Sequence, residues 1–220
     1  MYEIDVTLTD YLVTLECGLF AYLLVSSMEG QRVFRIWFAV FFAMAGAAAF
    51  LGGTRHGFFP DRASSANQIL DVAAMIALGL TSVAVWIFGA VILFGERATR
   101  IVTVVAAAEF VLYAICLLFF SQSFLVAIVN YLPSAVFALA VFGVVGFCHR
   151  VGAAWIGAAG VLLIFVGAAV QQAKISLHPD YFTHNAVYHV IQALAMYLVF
   201  VFARWLVGRA EFKPVFAREG

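Results

Sequence analysis

The chain has 220 residues, of which 65% are hydrophobic and 11% charged, with twelve basic and twelve acidic side chains in formal balance. Soluble domains carry about a quarter charged residues, so this composition excludes an ordinary soluble protein. The lack of a long basic block also excludes a nucleic-acid partner. The three cysteines (Cys17, Cys116 and Cys148) all fall inside apolar stretches, which argues against a disulfide framework.

Apolar runs recur at about 11–27, 33–54, 68–94, 99–120, 124–148, 151–173 and 185–207. All but the marginal first run reach the roughly 20 residues needed to cross a ~30 Å hydrocarbon core. They are continuous rather than alternating, which selects helices over a barrel. The expectation is an all-α integral membrane protein, with residues 1–220 forming a single domain, a bundle of seven transmembrane helices. The start, MYEIDVTLTD, is acidic and lacks the basic region of a cleaved leader, so the first run is read as a retained helix.

Taken in order, the first helix follows Asp10 and contains Glu16. The second ends near Thr54 and His56, and GFFPDRASSAN leads on to the third, which carries Asp71 about one turn in. The fourth holds Glu109 and Tyr113 one turn apart, read as a protonated or hydrogen-bonded structural role. The fifth contains Asn130 and Pro133, a predicted kink. After the sixth, ending near Gln171, the segment KISLHPDYFT leads to THNAVYHVIQALAMYLVF. Here Asn185, His189 and Gln192 share one helical face, whereas His184 stands about 140° from His189.

Lysine and arginine divide unevenly between the two ends of such a bundle. Arg55, Arg62 and Lys174 fall on the side that carries the N-terminus, side A. Arg32, Arg35, Arg97, Arg100, Arg150, Arg204, Arg209, Lys213 and Arg218 fall on side B. The bias predicts that side B is cytoplasmic, with the N-terminus outside and the C-terminus inside. His56, Asp71 and His189, on three different helices, then share one level near side A. Ionisable residues at membrane depth are costly and therefore functional candidates, and a bundle can gather them into a metal or catalytic site.

The stretches RHGFF, ANQILDVAAM and NAVYHVIQALAMYL resemble the CREST superfamily, which includes the alkaline ceramidases and the progestin and adipoQ receptors. That resemblance implies a seven-helix protein with a zinc ion near one membrane face and a lipid amide or ester as substrate. It implies His56 and His189 as zinc ligands and Asp71 as the residue that holds or deprotonates the attacking water. The family pattern has a second histidine where this chain has Asn185, and a serine where it has Gly52, with Thr54 as the substitute hydroxyl. Three outcomes stay open: Asp71 ligates directly, His184 swings in from the helix entrance, or a polar cluster remains without metal. The resemblance also implies a calcium site, with Asp10 and Glu16 as candidate ligands. Tyr188, Gln171 and Gln192 are candidates for orienting a headgroup.

A retinal protein is excluded, because neither Lys174 nor Lys213 lies inside the last helix. A receptor-like or scaffold protein without catalysis, a transporter and a haem protein using His56 with His184 or His189 remain as alternatives. The leading expectation is a zinc-dependent lipid hydrolase of a bacterial inner membrane, its site facing the periplasm.

Overall fold

The computed structural model describes residues 2–28 and 30–216. Among them are seven α-helices: α1 (Ile4–Ser26), α2 (Arg32–Phe58), α3 (Ser65–Leu93), α4 (Glu96–Phe119), α5 (Phe124–His149), α6 (Gly152–Gln172) and α7 (His184–Val207). All seven are long and apolar enough to cross a membrane. No strand occurs among the described residues, only an isolated bridge between His178 and Phe182. Arg218, counted above on side B, lies outside the described residues.

Two expected boundaries move in ways that matter for the site. The first helix begins at Ile4 rather than near residue 11, so Asp10 lies inside it. Its buried stripe runs Val6, Asp10, Val13, Cys17, Phe20 and Leu24, the alternating four-and-three spacing of one helix face. The second helix continues to Phe58, which carries Thr54, Arg55 and His56 in its last turns. Local chemistry sets several of the other ends. Ser64 caps α3 by accepting from the Asn67 N–H, and Ser123 caps α5 by accepting from the Leu125 N–H. Pro133 sits inside α5, where Ser82 of α3 donates to the Asn130 carbonyl one turn earlier.

The helices run alternately up and down. Around the bundle, α1 packs on α2, α2 on α3, α3 on α5, α5 on α6, α6 on α7 and α7 back on α1, while α4 lies outside this ring against α3. The core toward side B is aromatic. Phe38 stacks on Phe88 at 4.3 Å, Phe20 on Phe200 at 4.1 Å, and Phe142 meets Phe202 at 4.4 Å. Toward side A this apolar packing gives way to polar side chains from α1, α2, α3 and α7. The bundle is therefore graded from aromatic to polar along its length.

At side B the last residues fold back over the helix ends. The Val215 and Phe216 N–H groups donate to the Ile92 and Leu93 carbonyls at 3.0 and 2.7 Å, which satisfies acceptors that the end of α3 leaves free. Gln31 donates to the Phe212 carbonyl, and the Phe212 ring packs beside Phe34, His149 and Trp205. Gly30 adopts φ +68° there, and a Cβ on it would meet the Val207 carbonyl oxygen at 1.7 Å. Only glycine fits that turn.

Candidate functional site

Two polar clusters occupy the side-A end, both built on α1. The outer one is a chain of charges. Glu3 contacts His56 Nδ1, Arg55 lies 3.1 Å from His56 Nε2, and Arg55 reaches Asp71 Oδ1 at 2.7 Å. A guanidinium can only donate, so the His56 Nε2 lone pair accepts from Arg55 and Nδ1 carries the hydrogen toward Glu3. This chain links α1, α2 and α3 at a partly exposed rim.

The inner cluster is buried. His189 Nε2 lies 3.3 Å from Asp10 Oδ1, and His189 Nδ1 lies 3.2 Å from Thr9 Oγ1. Asp10 is 5% exposed and His189 9%, so water does not screen this pair. At 1.5 Å per residue, both side chains sit about 7–9 Å from the start of their helices. Asp5 holds the two helices in register, because its carboxylate accepts from both the Thr183 N–H and the Thr183 hydroxyl, at 2.8 and 2.7 Å. Those contacts place a negative charge at the N-terminus of α7, where the helix dipole favours it.

Close helix approach makes room for Asp10. A Cβ at position 53 would meet the Asp10 Cβ at 2.8 Å and the Tyr11 ring at 3.2 Å, while one at Gly52 would lie 3.5 Å from Asp10 Oδ2. The position at which the resemblance calls for serine is therefore where α2 passes over the α1 carboxylate. Thr54 turns elsewhere: its hydroxyl donates to the Phe50 carbonyl and meets the Tyr11 hydroxyl at 3.1 Å.

The structure separates several of the residues grouped by the sequence reading. Asp71 is paired with Arg55, not with a histidine. Asn185 Oδ1 accepts from Gln171 at 3.0 Å, tying α6 to α7. His184 opens an unbroken α7, so its angular distance from His189 stands and it does not swing in. Among the described residues, no three His, Cys, Asp or Glu side chains are gathered as a metal-ligand group. The expected convergence of His56, Asp71 and His189 thus gives way to separate pairings, because His56 meets Glu3, just before α1, and His189 meets Asp10 of α1. The candidate calcium ligands are dispersed as well: Asp10 faces His189, and the Glu16 Oε2 atom is buried without a hydrogen-bond partner among the described residues.

Tyr188 packs beside the His189 ring and lies within electrostatic reach of Asp10, and His56 lies within such reach of His189. Gln192 follows, half-buried, on the same helix. Thr9 and Arg55 are the residues that sequence reasoning missed. The signal for α1 was present in the spacing of its buried stripe, where Asp10 holds a position otherwise given to apolar side chains.

Fold and site together define a seven-helix protein of membrane-crossing dimensions with a buried carboxylate–imidazole pair near one end. Residues 6–206 match the family described as Family of unknown function (DUF6962), and the chain belongs to that family. No curated protein and no solved structure matches the chain.

Proposed function

We propose that this protein is a membrane-embedded hydrolase that cleaves an amide or ester bond of a membrane lipid, using a zinc-type ion near side A. The observation that carries this reading is the Asp10–His189 pair, buried about one and a half turns below the end of the bundle with the His56 ring within electrostatic reach. A pair at that depth meets a lipid at the level of its headgroup linkage. The resemblance of RHGFF, ANQILDVAAM and NAVYHVIQALAMYL to the CREST superfamily points the same way. The three-histidine set of that resemblance does not fit here, since Asn185 and Asp71 are committed to Gln171 and Arg55.

Asp10 and His189 are the donors a cation would find already in place, and such an ion supplies Lewis acidity toward a carbonyl oxygen and toward water. Thr9 fixes the His189 ring, and Tyr188 presents an aromatic wall with a hydroxyl beside it. Arg55, at the rim, offers positive charge to an anionic headgroup. In this reading side A faces outward in a bacterial inner membrane and the N-terminus is outside, as the excess of basic residues on side B implies.

The test uses purified, zinc-loaded protein in vesicles containing either an N-acyl sphingoid lipid or a glycerol ester lipid, with released fatty acid measured by mass spectrometry. Release from one class, abolished by chelator and by His189→Gln, is the expected result. No release from either class sinks the reading. A receptor-like or scaffold role is the second reading, favoured by the Glu3–His56–Arg55–Asp71 chain, which satisfies itself without a ligand. Under that role His189→Gln changes stability alone.

A further inference from the structure

We propose that the side-B end of the bundle is a docking surface for anionic phospholipid headgroups, with Arg32 of α2 and Arg97 and Arg100 of α4 holding the phosphate. This goes beyond the hydrolase reading and does not depend on it.

Cations dominate that end. Arg32, Arg97, Arg100, Arg150, Arg204, Arg209 and Lys213 are all exposed there, beside the partly buried Arg35. Glu96 and Glu211 are the acidic side chains described on the same side. The three ion pairs among the described residues all lie at side A, so no carboxylate neutralises these cations. Arg35 donates to the Ser27 carbonyl, and Arg209 lies 4.8 Å over the Trp205 ring. Arg32, Arg97 and Arg100 form no side-chain hydrogen bond or ion pair among the described residues.

Helix position gives these arginines no internal compensation. Arg150 caps the end of α5 and Arg204 lies in the last turn of α7, where the helix dipole favours a cation. Arg32 and Arg97 instead stand in the first turns of α2 and α4, where the dipole disfavours one. An insertion bias accounts for cations on side B in general. It does not account for cations at the unfavourable end of a helix without a partner anion.

The surface beneath them identifies that anion as a lipid. Residues four apart share a helix face, so Ile36 lies below Arg32, Ile101 below Arg97 and Val104 below Arg100. These apolar side chains are 39, 58 and 64% exposed. Each arginine therefore heads an outward-facing apolar column, which matches a phosphate with an acyl chain below it. A soluble anion would need no such column. The planar guanidinium fork matches phosphate oxygens two at a time, and arginine supplies seven of the eight cations described at this end. The folded-back tail adds Lys213 next to Phe212, whose ring packs beside Phe34 near the start of α2.

The test titrates the full chain in neutral detergent with phosphatidylglycerol and, separately, with phosphatidylcholine, counting bound lipid by native mass spectrometry. Wild type should hold phosphatidylglycerol on the order of a hundredfold more tightly, with the difference shrinking as salt rises. Arg32→Gln, Arg97→Gln and Arg100→Gln should each weaken phosphatidylglycerol about fivefold, and the triple variant should lose the preference. Arg62→Gln, which removes an exposed cation of side A, should bind as wild type does. Size exclusion and thermal melting report on folding, and the single variants keep the test decisive if the triple variant does not fold. Equal affinity for the two lipids, wild-type affinity in all three single variants, or an equal loss in Arg62→Gln overturns the assignment. Displacement of the lipid by inorganic phosphate at the same concentration overturns it in favour of a soluble anion.

Discussion

Asp10 occupies the second position of a buried stripe whose other members on α1 are Val6, Val13, Cys17, Phe20 and Leu24. A carboxylate there costs several kcal/mol unless a partner offsets it, and His189 is that partner. The neighbouring glycines separate two effects that sequence alone would merge. At Gly53 an added Cβ meets the Asp10 Cβ at 2.8 Å, whereas at Gly52 the nearest atom lies at 3.5 Å, an ordinary contact. Gly53→Ala should therefore destabilise the protein by about 1–3 kcal/mol through overpacking. Gly52→Ala should stay within about 0.5 kcal/mol. Thermal unfolding of both variants in one detergent measures the difference, and equal losses would mean that α1 and α2 do not meet at Gly53. By contrast, the Arg55–Asp71 bridge is a quarter to a third exposed, and its contribution is limited to about 1 kcal/mol or less.

At the scale of elements, α1 is the organiser of side A and the C-terminal segment is the organiser of side B. The early start of α1 adds two turns beyond the apolar run visible in the sequence. Those turns carry Asp5, Thr9 and Asp10, which reach α7 and the residue before it, while Glu3 just ahead of them reaches α2. At the opposite end, Phe212 bridges the ends of α2, α5 and α7, while the Val215 and Phe216 amides cap α3. Phe212 is half-buried, so Phe212→Ala should cost about 1–2 kcal/mol in lost apolar burial. The same change should release the tail, raising protease cleavage after residue 208 and speeding amide exchange at Val215 and Phe216. Protection unchanged from wild type would show that the backbone contacts to Ile92 and Leu93 hold the tail without the ring.

For the whole molecule, the closed ring of six helices with α4 outside it leaves a broad apolar exterior. Val104, Val105, Val111, Leu112, Ile115 and Leu118 of α4 all stand exposed, a surface that water would not tolerate on this scale. The orientation proposed above rests on the charge bias, and labelling tests it. Cys148, exposed at the side-B end of α5, should react with an impermeant maleimide only after the cytoplasmic face is opened, while buried Cys17 stays unlabelled. Labelling of Cys148 in intact cells, lost in Cys148→Ser, would reverse the orientation and turn the polar end toward the cytoplasm.

The number of helices, their order and their all-helical character were legible in the sequence, because a chain this apolar must satisfy its backbone within each segment. The polar residues near side A were legible too, since ionisable groups stand out against runs such as AVYHVIQALAMYLVF. Their partners were not. His189 and Asp10 are far apart in the chain, and hydropathy does not place Asp10 in a helix, since the polar first turns of α1 are held by contacts with α2 and α7. Sequence spacing aligned His56, Asp71 and His189 by depth, but depth says nothing about azimuth, and Arg55 lies between Asp71 and the nearer histidine. Covalent order determined which groups reach the polar end of the bundle. Only the packing of α1 between α2 and α7 decided which carboxylate faces which imidazole, because each helix's rotation about its own axis is fixed by its neighbours.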